Sequence, residues 1–192
     1  MENKLLNYFS RIMSLTDEEA AAIAETMNIQ HYKKGTVLLK EGQVSMEAYF
    51  VLEGCVRQYY LVDGEEKTNN FFTEEQWVIS ITSMTQKVPS GHFMECCLDS
   101  TLVVGNREKE EYLYKRFPKL ESVSRKVMEK VFAEQQEIMA SYSTDTPEQR
   151  YLKLMKSRPD LLQKIPQYHI ASYIGVKPES LSRIRKRIAH KM

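Results

Sequence analysis

The spacing of apolar residues changes twice along this 192-residue chain. Over residues 1 to about 30, apolar side chains such as Ile23 and Met27 recur at helical spacing, and from about residue 108 that spacing returns. Between 31 and 72, and again between 93 and 104, short β-branched and aromatic segments alternate with turn residues, which predicts short strands. The stretch 77–85 fits neither pattern. The sequence therefore predicts an α+β chain in which a small β-roll of the jelly-roll type lies between helices.

Two short helices joined by a glycine turn are predicted near the C-terminus. Apolar residues at helical spacing on their inner sides are Ile170, Ala171, Ile174, Leu181, Ile184 and Ile188. Gly175 stands where a tight turn needs a positive φ, and Pro178 suits the first turn of the second helix. Charged residues on the opposite side of that helix are Glu179, Arg183, Lys186 and Arg187. This pattern predicts a helix-turn-helix, whose second helix enters the major groove of DNA.

Charge is distributed unevenly along the chain. The segment Pro147–Met192 contains 11 Lys and Arg and 3 Asp and Glu residues, a net charge of +8, whereas the rest of the chain carries −7. A helical interaction module with a solvated basic face would explain the two helices but not this asymmetry. A basic tail on an acidic body is the charge distribution expected of nucleic-acid binding.

A long helix is predicted ahead of this basic segment. Positions that advance by three or four, the seam spacing of a two-stranded coiled coil, are Leu120, Val123, Val127, Val131, Glu134 and Ile138. A single helix packed on its own barrel would show the same spacing, so both interpretations stay open. We favour a homodimer, because a lone helix-turn-helix has a small interface whereas twofold dimers contact paired half-sites.

These patterns divide the chain into three predicted parts. Residues 1–115 would form a β-roll effector or sensor domain with a leading helix, 116–143 a dimerisation helix and hinge, and 144–192 a helix-turn-helix DNA-binding domain. Capping boxes at Thr16 with Glu19, and at Thr146 with Gln149, mark two helix starts.

The sequence argues against several other classes of protein. The four histidines are scattered and the three cysteines lack Cys-x-x-Cys spacing, so we expect no metal or iron–sulfur site, and the sequence identifies no cofactor, while an unknown small-molecule effector stays open. Phosphate-binding and nucleophile-elbow motifs are absent, so we expect no enzyme. Without a long apolar run, a secretory signal or a disulfide framework, we expect a cytoplasmic protein that does not span a membrane.

The order of these parts resembles the CRP/FNR family of bacterial transcription regulators over essentially the whole chain, and residues 158–185 are similar to a subgroup common in Bacteroidetes. The resemblance implies that Glu179 and Arg183 contact base edges, which suits cytosine N4 and guanine O6 and N7. By the same resemblance, Ser180 contacts phosphate or base. Lys177, Lys186 and Arg187 are expected at phosphates. Residues that complete the expected DNA-binding set are Gln167 and His169. RNA polymerase is a further candidate partner.

The chain departs from this family at the expected ligand pocket. Stretches corresponding to the family's Gly-Glu and Arg-Ser motifs give as pocket candidates Trp77, Ile79, Ser80, Ser90 and Gly91. Because the family's glutamate and arginine are both missing, a buried cyclic phosphate would lack its cation, and we expect no standard cAMP binding. Only eight residues follow Ile184, so we also expect no β-hairpin wing. Two alternatives remain: a cyclic-nucleotide sensor with an altered pocket, and a β-barrel enzyme with a basic tail.

Overall fold

The computed structural model describes residues 3–190 as a β-roll flanked by helices. Its strands are β1 (Ile29–Tyr32), β2 (Val37–Leu39), β3 (Glu47–Glu53), β4 (Val56–Val62), β5 (Glu65–Phe72), β6 (Trp77–Val78), β7 (Phe93–Cys96) and β8 (Ser100–Asn106). Its helices are α1 (Asn3–Ile12), α2 (Asp17–Thr26), α3 (Ile81–Gln86), α4 (Arg107–Arg116), α5 (Lys119–Thr144), α6 (Pro147–Ser157), α7 (Pro159–Lys164), α8 (Gln167–Tyr173) and α9 (Pro178–Ala189). The predicted α+β class and β-roll are confirmed.

Within the described residues, the strands form two four-stranded sheets. Their orders are β1-β8-β3-β6 and β2-β7-β4-β5, with antiparallel pairing throughout. The sheets enclose an apolar core that includes Val51, Met94 and Leu102. Asp63 and Gly64 connect β4 to β5 with φ values of 53° and 78°, the positive angles that a type I′ hairpin turn requires. Because apolar and polar residues alternate along the strands, the apolar side chains of the two sheets face each other and form one core.

The stretch that matches neither period in the sequence is a short strand followed by a short helix. β6 adds to β3 through Tyr49 and Phe50, and α3 begins after Ser80 and ends at Lys87, whose φ is 57°. Two residues of strand and six of helix are too few for either period to be recognised in the sequence. This insertion lies beside the candidate pocket described below.

Both predicted capping boxes are present. Thr16 accepts a hydrogen bond from the N–H of Glu19 at the start of α2, and Thr146 accepts one from Gln149 at the start of α6. In each pair the longer side chain accepts a hydrogen bond in return from the backbone N–H of the threonine. The leading helical stretch is accordingly two helices, because the first capping box starts a new helix after the break at residues 13–16.

The long helix α5 packs on its own β-roll. Four of the six positions assigned to a coiled-coil seam are buried there among residues of α1, β3 and β8, and they are Leu120, Val123, Val127 and Val131. The seam assignment is therefore wrong for these four positions, since a side chain that fills its own core is not free for a partner. Glu134 and Ile138 are half-buried. Large apolar side chains elsewhere on the helix stay exposed, namely Phe132 at 62% and Met139 at 66%.

None of the helices within residues 3–190 has the length and apolar character needed to cross a bilayer.

Candidate nucleic-acid interface and effector pocket

The pair of helices α8 and α9 is held together by the apolar residues that the sequence placed inside it. Ile170 and Ala171 of the first helix, and Ile174 directly after it, are buried together with Leu181 and Ile184 of the second. Gly175 has φ of 76° in the turn between them, and a Cβ atom there would lie 3.4 Å from Nη2 of Arg150. The turn closes with a hydrogen bond from the N–H of Val176 to the carbonyl of Ala171. These contacts fix the direction of α9.

The outer face of α9 is exposed and basic. Side chains exposed on it include Lys177, Glu179, Arg183, Lys186 and Arg187, whereas Ser180 is half-buried. Glu179 and Arg183 are four residues apart and therefore lie on the same side of the helix. Neither Arg183 nor Lys186 forms an ion pair with any residue between 3 and 190. The charges of these two side chains are thus not neutralised by an ion pair within the described residues.

Other polar residues of α9 are already engaged within the chain. Nε of Arg187 lies 3.1 Å from Oε2 of Glu148 on α6, and Nη1 of Arg185 donates to Oε1 of Gln167 at 2.7 Å. Arg187 would have to exchange a carboxylate for a phosphate in a complex with DNA. Gln167 lies at the start of α8, where its contact with Arg185 joins the two helices.

His169 faces the β-roll. Its side chain is buried, and Nδ1 lies 2.8 Å from Nη1 of Arg57 on β4. Burial, and next the adjacent Arg57 guanidinium, lower the pKa of His169 to about 4, so the ring is neutral at pH 7. Its neutral Nδ1 accepts a hydrogen bond from the arginine. The expectation that His169 contacts DNA does not fit this arrangement, because its ring packs against the β-roll.

Arg57 is the centre of the contact between α8 and the β-roll. Its side chain is 1% exposed, with Nη1 2.7 Å from Oε2 of Glu66 and Nη2 3.2 Å from Oε2 of Glu95. The guanidinium carbon also lies 4.0 Å from the centre of the Tyr59 ring. Partial neutralisation by two carboxylates allows this cation to be buried. Arg57 was not among the residues predicted from the sequence. A cation within an apolar strand segment nevertheless indicates that its charge has a partner inside the fold.

Backbone and hydroxyl contacts complete the attachment of α8 to β5. The Ser172 hydroxyl accepts a hydrogen bond from the N–H of Thr68 at 2.8 Å and donates one to the carbonyl of Glu66 at 2.9 Å. The rings of Phe71 and Tyr173 pack with their centres 5.2 Å apart. The helix pair therefore sits on the β-roll through specific polar and aromatic contacts.

Arg150 of α6 joins the end of α5 to the turn after α8. Its Nη1 donates to the carbonyl of Asp145 at 2.6 Å, while Nε and Nη2 donate to the carbonyl of Ile174 at 3.0 and 2.9 Å. The Tyr142 hydroxyl near the end of α5 donates to the carbonyl of Tyr173. These hydrogen bonds connect the end of α5 to the turn that precedes α9.

All five pocket candidates line one cavity of about 330 Å³. Trp77, Ile79 and Ser80 come from β6 and the segment before α3, and Ser90 and Gly91 come from the loop before β7. The remaining residues that line the cavity are Gln58, Tyr60, Phe72, Ile81, Thr82, Ser83, Pro89, His92, Val131 and Gln135. The last two belong to α5, so one wall of the cavity is the long helix. A larger cleft of about 640 Å³ lies between α5, α6 and the β-roll.

Comparison with known proteins identifies the fold. Residues 29–116 match the family model of the cyclic nucleotide-binding domain. A search of curated proteins gives no match. Among solved structures, the catabolite activator protein of Thermus thermophilus is 18% identical, with a TM-score of 0.57 over 96% of this chain and 87% of that one.

Two further structures are more similar in shape. FixK2 of Bradyrhizobium japonicum is 17% identical, with a TM-score of 0.69 over 86% of each chain. A protein of Eubacterium rectale described as a transcriptional regulator of the CRP/FNR family is 19% identical, with a TM-score of 0.69 over 96% of this chain and 88% of that one. The fold implied by the resemblance is thus confirmed: residues 29–116 form a cyclic nucleotide-binding type of domain, and the chain has a fold similar to that of a solved protein described as a member of the CRP/FNR family, whereas similarity to the Bacteroidetes subgroup stays a prediction.

Proposed function

We propose that this protein is a homodimeric, sequence-specific DNA-binding transcription regulator whose β-roll senses a small molecule. The observation that carries the proposal is the exposed face of α9, on which Arg183 and Lys186 have no ion-pair partner among residues 3–190. This face belongs to a segment of net charge +8 at the end of a chain with the CRP/FNR fold. Two of the structures compared above are described as a catabolite activator protein and a transcriptional regulator, and we propose no catalytic activity.

In the proposed complex α9 lies in the major groove as the second helix of a helix-turn-helix. Arg183 would donate a pair of hydrogen bonds to guanine, and Glu179, one turn earlier, would accept from cytosine N4. Lys177, Lys186 and Arg187 would bind phosphates and fix the position of the helix along the duplex. Ser180 would contact phosphate or base. Gln167 would hold Arg185 in place through their hydrogen bond and would itself lie close to the DNA backbone.

Binding to selected duplexes tests this assignment. In fluorescence anisotropy, Arg183→Ala should weaken binding to the best duplex by about 1–3 kcal/mol and relax base preference at one position of each half-site. Lys40→Ala, which removes one exposed positive charge from the β-roll, is the matched control and should change neither affinity nor preference appreciably. Unchanged base preference in Arg183→Ala would show that Arg183 does not contact a base.

The proposed dimer forms through the exposed side of α5. Phe132 and Met139 are 62% and 66% exposed and seven residues apart, so they lie on the same side of the helix. Large apolar side chains that are this exposed and aligned mark an interaction surface. A second copy of the chain fits because two such helices can pack antiparallel or parallel around a twofold axis.

The proposed sensor acts through α5. Val131 and Gln135 line the cavity, and Phe132 lies between them on the exposed side of the same helix. A ligand that binds one position of α5 better than another would shift the population of dimer arrangements, and with it the separation of the two α9 helices. The alternative to an uncharged effector is a cyclic nucleotide bound in an altered pocket, which the family-model match at residues 29–116 supports. RNA polymerase and a cytoplasmic location remain expectations from the sequence.

A further inference from the structure

The cavity of about 330 Å³ has no formally charged residue among those that line it. Arg57 is the cation of β4. It forms ion pairs with Glu66 and Glu95 and does not line the cavity. Lys87, at the end of α3, is exposed and also does not line it. An anion placed in this cavity would therefore lose its water without gaining a cationic partner, which disfavours its binding strongly.

His92 adds an unsatisfied hydrogen-bonding atom to the lining. Its Nε2 is buried and has no hydrogen-bond partner among residues 3–190. Burial lowers the pKa of His92, so the ring is uncharged at pH 7. A buried polar atom without a partner is costly, and a ligand that supplies a complementary group would remove that cost.

The rest of the lining is aromatic and amide in character. Tyr60, Phe72 and Trp77 contribute rings, and the ring of Tyr60 lies edge-on to His92 with centres 5.6 Å apart. Gln58 and Gln135 contribute amides that both donate and accept hydrogen bonds. Rings prefer to pack against other rings in stacked or edge-to-face geometry.

We propose that this cavity binds an uncharged aromatic molecule with hydrogen-bonding groups, between a nucleobase and a nucleoside in size, and that it rejects cyclic nucleotides. The volume lies at the lower end of the roughly 300–1,000 Å³ range of small-molecule sites. The inference rests on the sensor role proposed above, because it names the ligand of that domain. Through Val131 and Gln135 the bound molecule touches α5 directly.

The only tryptophan of the chain, Trp77, lines the cavity and provides a site-specific signal. Its single indole N–H cross-peak can be followed by NMR in the ¹⁵N-labelled full chain during titration. Suitable probes are pairs with nearly the same ring system, one uncharged and one anionic. The pairs are adenosine with cAMP, guanosine with cGMP, nicotinamide with nicotinate, and indole with indole-3-acetate.

We expect at least one uncharged probe to shift the Trp77 signal at up to millimolar concentration, and its anionic counterpart to bind at least about tenfold more weakly. Gly91 allows a change of charge without a steric clash, since a Cβ atom there would meet nothing within 4 Å and the residue is exposed. Gly91→Arg should reduce the preference for the uncharged member severalfold, whereas Gly91→Gln, of similar length and uncharged, should not.

Two results would overturn the inference: a cyclic nucleotide that binds as tightly as its nucleoside or more tightly, or no response to any uncharged probe of the panel. Each titration is made without DNA. Failure of DNA binding in the experiments on Arg183 would leave the outcome of these titrations unaffected, so the two proposals fail separately.

Discussion

Arg57 and His169 show how a contact between distant residues determines what a single side chain does. They are separated by 112 positions in the sequence and meet at 2.8 Å. Helical spacing placed His169 at the start of a helix but could not show which surface that helix packs on. Periodicity alone predicted that Glu179 and Arg183 lie on the outer side of α9, and the structure leaves both residues exposed on that helix.

Burial of neutral His169 makes stability depend on pH. Its pKa is about 4 in the folded chain and near 6.5 when unfolded, so its stabilising contribution is complete above pH 6.5 and declines as the pH falls towards 4. Between pH 7 and 4.5 the free energy of unfolding should fall by about 2 kcal/mol more in the wild type than in His169→Gln. Urea unfolding at both pH values measures this difference. The same pH dependence in both proteins would contradict the assignment, and His190→Gln, which changes an exposed histidine, should behave like the wild type.

Lys186 is expected to act on DNA through charge alone. Lys186→Ala should weaken binding to all duplexes alike and reduce the slope of log affinity against log salt by about 1, because one fewer phosphate is neutralised. The measurement is a salt titration on a selected and a random duplex. A loss confined to the selected duplex would instead indicate that Lys186 contacts a base.

Among the elements, α5 marks the limit of what periodicity can show. Its apolar repeat predicted a long helix, but buried positions look the same whether the partner is the same chain or another. Val127 and Val131 pack on the β-roll, while the exposed apolar residues Phe132 and Met139 fall outside the repeat. Capping boxes at Thr16 and Thr146 were recognised because their chemistry is local. The short elements β6 and α3 carry no such local signal.

Changing the exposed side of α5 should change the oligomeric state. Phe132→Glu should shift the protein from dimer to monomer, because a charge would be buried at the proposed interface. Met46→Glu is the control, since it places the same charge at a residue that is 64% exposed on the β-roll. Sedimentation velocity over a range of concentrations measures both variants. A Phe132→Glu protein that remains dimeric would place the interface elsewhere.

At the scale of the whole molecule, the fold brings together the residues that the sequence named as pocket candidates. All five pocket candidates line one cavity, because the loop before β7 and the segment before α3 come together at the same part of the roll. Polarised charge was also evident in the sequence, with +8 on residues 147–192 and −7 on the rest. Attachment of α8 to β5 through Ser172 could not be foreseen, since it depends on tertiary contacts of the β-roll.

The central claim is that two copies of α9 read DNA together. Selection from a random duplex library with the purified full chain, at moderate salt and with and without the ligand probes, tests it most directly. The account predicts enrichment of an inverted repeat whose half-site centres are about one helical turn, roughly 34–36 Å, apart. Loss of preference at one base pair per half-site in Arg183→Ala should accompany it. No enriched sequence under any of these conditions, or enrichment of a single half-site only, would contradict it.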